Sequence, residues 1–506
     1  MGGRGEIGRR TGLKIPFPSG SAGSSPAVRT IALLTIAAAA LSGCGRRPDD
    51  VPVQVSVIDA AREQEQGAAA DTLRLATAQG LVRFDAAGGI EPGLAERWIV
   101  IDDGRSYIFR LADLTWPDGK QVTASAVVEV LKRAMRDGDG RLAPYLSAID
   151  EIVAMTPLVI EVRLKRPRPD LLKLFAQPEL AVPARATEVG SGPFTVTGRS
   201  TAGTLLRPAD DPSSDGGSDA PPPKPQDYVR VRQERASAAV LRFAAGKSDL
   251  VTGGSYLDWP VAAQARLAPT NVRTDAAAGL FGFAVARRSG LLADAASRAA
   301  IALAIDRSAL LGSFREDWVP TETLLPERLE SAAPPAVGDW TSVAQPDRQA
   351  VAAARVADHI AATGERPLLH IALPAGPGAT LVYGQVGAAL RRIGIMTDRV
   401  AIGSPDADLR LVDAVAPYDS ARWYLRTACQ PCAAPVAALI GDVREAPDMT
   451  SRGAMLARAD AALAADVAFI PIARPLRWSL VAARLRSWTP NARAIHPLNH
   501  LRRPPN

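Results

Sequence analysis

Twelve consecutive residues without a charge, Thr30 to Leu41, follow directly on Arg29 and decide where the rest of this chain must fold. A helix that spans a bilayer needs about 20 apolar residues, so this run is too short to do so. A basic flank, a short apolar core and small residues behind it are the pattern of a secretory leader. The body is therefore expected to fold after export. Five of the 59 basic residues (Arg4, Arg9, Arg10, Lys14 and Arg29) stand in residues 1–43 against Glu6, which accounts for most of the net charge of +6. What remains is near neutral, and no nucleic-acid partner is expected without a concentrated basic face. With 47% hydrophobic and 22% charged residues, the chain has the composition of folded domains. Its 506 residues leave room for roughly two to four of them.

Leu41-Ser42-Gly43-Cys44 resembles the lipobox of bacterial lipoproteins, in which the Cys is lipidated and becomes the new N-terminus. The lipid would supply the anchor that the short apolar run cannot. The leader ahead of Arg29 is long, and Val28 is a candidate true start. Residues 44–70 read as the lipidated Cys and a flexible tether. Val51–Val57 alternates like a strand, but Pro52 would confine it to an edge. Beyond Cys44 the only cysteines are Cys429 and Cys432. In an oxidising compartment they are expected to pair as a disulfide bracing a loop. A redox-active C-x-x-C or half of a metal site are the alternatives.

The body alternates strand and helix signals. Leu73–Ala76, Tyr107–Leu111 and Leu158–Leu164 read as strands, and Trp116–Gly119 as a turn. Thr123–Met135 carries Ala126, Val127, Val130, Leu131 and Ala134 on one helical face. Asp294 or Ser297 caps a helix to Leu303, and Asp306 caps a short one ending at Gly312. Pro208–Asp227, rich in Pro, Gly, Ser and Asp, reads as a surface loop. A strand at Leu368–Leu373, a helix near Val382–Ile393 and a strand at Asp408–Val412 imply a partly parallel sheet. A long helix, about Ser451–Ala465, leads into the apolar Val467–Ile472.

The order of local motifs resembles the extracytoplasmic solute-binding proteins of ABC importers, in the group that carries peptides and nickel complexes (family 5), in its lipoprotein form. The residues that carry the resemblance are Gly80–Asp85 with Pro92–Trp98, then Asp103-Gly104, Trp116–Lys120 with Val122–Val127, and Gly190-Ser-Gly-Pro-Phe194. Leu241–Leu250, Phe281–Val285 with Arg298–Arg307, and Gln385–Ile395 continue the series. The resemblance implies an α/β fold of two lobes with mixed sheets and a hinge, the type II (Venus-flytrap) periplasmic-binding-protein fold. Residues 71–275 would form lobe I, with an embedded subdomain at about 92–185. Lobe II would span 276–466, and 467–506 would return to lobe I. The crossings would fall near Asp275–Phe283 and Asp466–Ile472. A peptide-like or other small solute would bind between the lobes and be delivered to the permease and ATPase subunits. The resemblance implies a periplasmic or envelope location, held to the membrane by the lipid anchor, with no catalysis and no cofactor.

Several stretches are trimmed relative to that pattern. Ala76–Gln79 runs almost directly into Gly80, and Ala284 stands where the family commonly has Asn. The family's Asp-Pro-Asp-Asn-aromatic stretch near the cleft has its best match in Tyr418–Tyr424, which keeps Asp419 and the aromatics. Asp419 would face a ligand ammonium, or else pair with Arg422 within the chain. Trp423 and Tyr424 would stack on a ligand or serve as core. Tyr256 and Trp259 would wall the cleft or pack the hinge. The sequence holds no G-x-S-x-G elbow, H-E-x-x-H or Walker loop, and His359, His370, His496 and His500 are scattered. A non-transport envelope lipoprotein with a degenerate cleft is the alternative role on the same scaffold.

Overall fold

The computed structural model describes residues 50–59, 67–116, 118–136, 141–168, 170–184, 190–209, 222–327 and 329–502. The leader at 1–43, the expected lipidation at Cys44 and the acidic part of the Pro208–Asp227 loop (Asp210, Asp211, Asp215 and Asp219) lie outside them.

The first lobe opens with β1 (Val53–Ile58) and α1 (Ala68–Thr77). A ribbon of β2 (Val82–Phe84) and β3 (Ile90–Pro92) leads to the embedded subdomain. There β4 (Ala95–Ile101), β5 (Ser106–Leu111), β6 (Ile149–Thr156) and β7 (Val159–Leu164) form an antiparallel sheet ordered β4-β5-β7-β6. Between β5 and β6 run α2 (Ala124–Arg136) and the short α3 (Ala143–Leu146). The chain then lays down β8 (Phe194–Ser200), β9 (Gly203–Pro208), β10 (Val229–Glu234), α4 (Ala236–Ala244), β11 (Leu250–Ser255), α5 (Trp259–Gln264) and β12 (Val272–Asp275).

The second lobe begins with β13 (Gly279–Val285), α6 (Ala295–Ala304) and α7 (Arg307–Gly312). It continues with α8 (Arg348–Thr363), β14 (Leu368–Leu373), α9 (Pro377–Arg392), β15 (Met396–Ala401) and β16 (Leu409–Val415). Helices α10 (Ala421–Ala428), α11 (Ala434–Asp442) and α12 (Met449–Asp466) lead to β17 (Phe469–Ala473), and β18 (Arg477–Val481) returns to the first lobe. The first lobe's sheet is ordered β12-β18-β11-β1-β10-β9-β8, and the second lobe's β15-β14-β16-β13-β17. Both are mixed. In the first, β1 is parallel to β10 and β11, and in the second, β14 is parallel to β15 and β16, while the remaining pairs are antiparallel. This is the two-lobed α/β architecture of a type II periplasmic-binding protein.

Three expectations need correction. The stretch assigned to the tether contains β1, which sits inside the sheet. Pro52 lies just before the strand, so it removes no ladder bond. The polar residues of β1 are buried and satisfied: Ser56 donates to Glu234 at 2.7 Å, and the Gln54 amide donates to Asp249 at 2.7 Å. Leu73–Ala76 is part of α1 rather than a strand, and the Asp59 carboxylate accepts the Ala69 amide at 3.1 Å at the start of that helix. The second crossing lies at 474–476, because β17 still belongs to the second lobe's sheet. The return to lobe I therefore begins later than residue 467. The first crossing, between Asp275 and Gly279, joins β12 to β13.

The two helix caps read from sequence are formed. Asp294 accepts from the Ser297 amide at 2.9 Å, and Asp306 from the Ala309 amide at 3.0 Å. The Gly190–Phe194 turn packs against the end of α1, where a Cβ on Gly192 would lie 2.4 Å from the Thr77 carbonyl carbon. Only glycine fits so close an approach of two backbones.

Candidate functional site

Around the crossings the two lobes share an aromatic core. Tyr256 packs on Phe281 with ring centroids 4.9 Å apart, and Phe281 on Trp318 at 4.8 Å. Trp259 meets Trp478 edge-on at 6.0 Å. The indole donors are satisfied within the chain: Trp259 donates to the Phe314 carbonyl at 2.7 Å, Trp318 to the Arg474 carbonyl at 2.8 Å, and Trp478 to the Ser255 carbonyl at 2.8 Å. Arg474, on the second crossing, donates to the carbonyls of Leu324 and Leu325 at 2.7 and 2.9 Å. Arg477 of β18 reaches Asp413 of β16 at 2.8 Å, an ion pair between the two sheets. Tyr256 and Trp259 are thus buried in the packing around the crossings.

The lobes also meet through the embedded subdomain. Tyr145 of α3 lies edge-on to Tyr418 at 5.4 Å. The Gln177 amide donates to the Pro417 carbonyl at 2.6 Å, and Arg168 Nη2 to the Arg444 carbonyl at 2.7 Å. Asp419 stands at this boundary with two in-chain cations. Lys173, from a 3-10 turn at Leu171–Ala176, donates to Oδ2, and Arg493, from the C-terminal segment, donates to Oδ1. Burial pushes the Asp419 carboxyl up, but the Lys173 hydrogen bond and the Arg493 charge outweigh it and hold it below the usual carboxylate range.

Arg422 is not the partner of Asp419, which corrects one of the two sequence readings. Its Nε has no hydrogen-bond partner among the described residues, and the side chain is almost wholly buried. Burial lowers its pKa, and its electrostatic neighbours are Tyr418, Tyr145, Arg426 and Arg452. Trp423 and Tyr424 are core residues at 4% and 1% exposure, packed edge-on to one another, with the Arg474 guanidinium 5.7 Å from the Tyr424 ring. Neither is placed to stack on a ligand in this conformation. Cys429 and Cys432 are joined by a disulfide at the end of α10.

The sequence reading missed four residues here. Lys173 was a lone charge inside the apolar run Leu171–Phe175, which was a usable signal. Arg493 gave none, since 74 residues separate it from Asp419. Asp170 has both carboxylate oxygens buried without a hydrogen-bond partner among the described residues. Burial, and then the charge of Glu330, push it up to about 7. Arg168 is buried beside it and donates to two backbone carbonyls. One cavity of about 210 Å³ lies at the lobe boundary and another of about 250 Å³ beside Leu325–Pro335. Both are below the roughly 300–1,000 Å³ typical of a ligand pocket. Polar groups of both lobes face one another across the boundary, and Arg168, Lys173 and Gln177 bond across it. Among the described residues no cluster of His, Cys, Asp and Glu could hold a metal ion.

The fold is similar to that of the murein tripeptide binding protein MppA of Escherichia coli. The TM-score is 0.74 at 16% identity, over 90% of this chain and 98% of that one. NikA from Brucella suis, solved in complex with Fe(III)-EDTA, aligns with a TM-score of 0.72 at 18% identity, over 89% of this chain and 99% of that one. A probable deoxycholate-binding periplasmic protein, YgiS of Escherichia coli, is 43% identical over 58 residues, and the match spans only 11% of each chain. Residues 89–397 match the profile of the bacterial extracellular solute-binding proteins, family 5, middle region. On that match, which takes in more than half of its length, the chain belongs to the bacterial extracellular solute-binding proteins of family 5, the two-lobed solute-binding components of ABC transporters.

Proposed function

We propose that this chain captures a small peptide-like solute between its lobes, at the boundary built from Asp170, Tyr145, Tyr418, Asp419 and Arg422, and hands it to an ABC permease. The observation that carries the reading is the presence at one boundary of buried polar groups left without partners. Asp170 has two unsatisfied carboxylate oxygens and Arg422 an unsatisfied guanidinium nitrogen. A buried polar atom without a partner costs about 1–3 kcal/mol, and more when charged. A solute carrying both an ammonium and a carboxylate would relieve both kinds of deficit. Such a ligand favours the closed state because it gains contacts with both lobes only there. A solute ammonium would have to share Asp419 with its two in-chain cations. That carboxylate side chain is 46% exposed, which leaves room for a further donor, while Arg493 behind it is 2% exposed. The relatives bear on size and polarity alone: one binds a murein tripeptide and another was solved with Fe(III)-EDTA.

Lipidation of Cys44 would hold the receptor at the membrane. Intact mass of the mature protein tests it. An acyl mass on an N-terminal Cys is expected, and a leader cut without acyl attachment would remove the anchor from the proposal. For the solute, native mass spectrometry of gently purified protein is expected to retain a bound small molecule. Di- and tripeptides should raise the melting temperature in a saturable way. A protein that carries nothing and responds to no member of such a panel would favour the second reading, an envelope lipoprotein with a degenerate cleft. The occupation of Asp419 by Lys173 and Arg493 is what supports that second reading.

A further inference from the structure

The cavity of about 210 Å³ lies away from the Asp419 and Arg422 side chains and is built by both lobes. Ser147, just after α3, and Lys165, Arg166 and Arg168, just after β7, come from the embedded subdomain. Arg444 and Glu445 come from the short turn between α11 and α12 of the second lobe. Four cations thus line a space shared with one carboxylate. Glu445 is already engaged: it accepts from Arg444 Nε at 3.1 Å and lies 4.0 Å from Arg166 Nη2.

Two of the cations, Lys165 and Arg168, are held by backbone carbonyls. Lys165 Nζ donates to the Ser147 carbonyl at 3.2 Å. Arg168 donates to the Pro167 carbonyl and to the Arg444 carbonyl, and is only 6% exposed. Burial, and then repulsion from Arg452, pull its guanidinium down to about 10. The carboxylates behind it do little to neutralise it. Glu330 is bonded to Arg452 and to the Ala421 amide, and the Asp170 carboxyl is itself pushed towards its neutral form. An ordinary solvated basic face would keep its guanidinium groups in water. Here one is buried, and it opens on a space several times the roughly 30 Å³ share of a water molecule.

We propose that this cavity takes a small oxyanion, a carboxylate or a phosphate of a few heavy atoms, and that the bound anion holds the two lobes together at this edge. The anion would meet Lys165, Arg166 and Arg168 from one lobe and Arg444 from the other. Its affinity is then higher for the closed arrangement, and occupancy shifts the population towards closure. The site adjoins the solute site proposed above, since Arg168 lies beside Asp170, but it is lined by other residues and does not depend on the identity of that solute.

The test uses the ligand-free mature protein. Its melting temperature is followed against potassium phosphate, sodium acetate and sodium chloride at one pH and equal ionic strength. The comparison is a Lys165→Gln/Arg444→Gln double variant, chosen because both side chains reach the surface while Arg168 is buried. Phosphate or acetate should give a saturable rise that chloride does not. The midpoint concentration should be at least about tenfold higher in the double variant, whose melting temperature in chloride should match the parent. A rise with phosphate alone assigns the site to phosphate, and a rise with both to oxyanions in general. An equal response in the double variant, or no response beyond chloride, overturns the site. Small-angle scattering of the same samples reads the bridging: the radius of gyration should fall with the same midpoint, and saturable binding at constant radius overturns that part.

Discussion

Around the crossings, Trp478 lies edge-on to Trp259, Phe281 is packed between Tyr256 and Trp318, and three indole donors end on backbone carbonyls. At the boundary with the embedded subdomain, Asp419 takes two cations while nearly half of its side chain stays exposed, and Asp170 and Arg422 keep buried atoms without partners. The first region is close-packed apolar surface, and opening it would forfeit contacts that water does not replace. The second is held by charges, and water or a solute can take the place of either member of a pair. The contrast separates the two jobs of a flytrap. One side must stay shut in both states, and the other must be nearly indifferent between them.

The sharpest way to break the comparison is to cut the aromatic side. Trp478→Ala should cost about 3–5 kcal/mol of stability in denaturant titration, since it empties the space between β11 and the first lobe's α5. Arg477→Met comes next. It would strand the buried Asp413, whose pKa is raised by burial in spite of Arg477, at a cost of about 3 kcal/mol or more. Arg477→Met with Asp413→Leu should recover most of that loss, and a double variant no more stable than the single would argue against the pair. A smaller, pH-dependent effect belongs to Asp170. Its folded pKa is raised from 3.8 to about 7, so between those values the native state holds more protons than the unfolded one. Stability should therefore fall as pH rises through that window, by at most roughly 1.4 kcal/mol per pH unit. Melting curves at pH 4.5 and 7.5 should show the fall in the parent and its loss in Asp170→Asn. The smallest expected change is at Asp419→Asn, about 1–2 kcal/mol, because the amide oxygen still accepts from Lys173 and Arg493 although the charge facing the buried Arg493 is lost. In the ligand-free protein its radius of gyration should nevertheless grow, and no growth would mean that the ion triad does not hold the lobes.

The sequence disclosed elements whose signals are local. The helices α6 and α7 were legible because Asp294 and Asp306 stand at their N-caps, and β7 because Glu161 and Arg163 alternate with apolar residues. Two elements misled for physical reasons. The Val53–Ile58 strand looks half polar, yet Gln54 and Ser56 are buried against Asp249 and Glu234, partners about 180 to 195 residues away. The β15 strand was passed over because it is an edge strand carrying Asp398 and Arg399, residues that also suit a loop. The site was the least legible part. Asp419 was singled out as a carboxylate that would face a ligand ammonium or pair with Arg422. The nearby Arg422 was the obvious candidate in sequence, but the cations that reach it come from Lys173 and Arg493. Only the folded chain brings those three together.

The position of β1 has a consequence for how this molecule comes into being. Its neighbours in the sheet begin at Val229 and Leu250, and the strand that completes the hinge, β18, begins at Arg477. The first strand among the described residues thus has to wait for distant segments, and pairings of such long sequence separation form slowly. A chain that has to cross a membrane before it folds would gain from that delay, because its central sheet cannot be completed until the residues of β18 have been delivered.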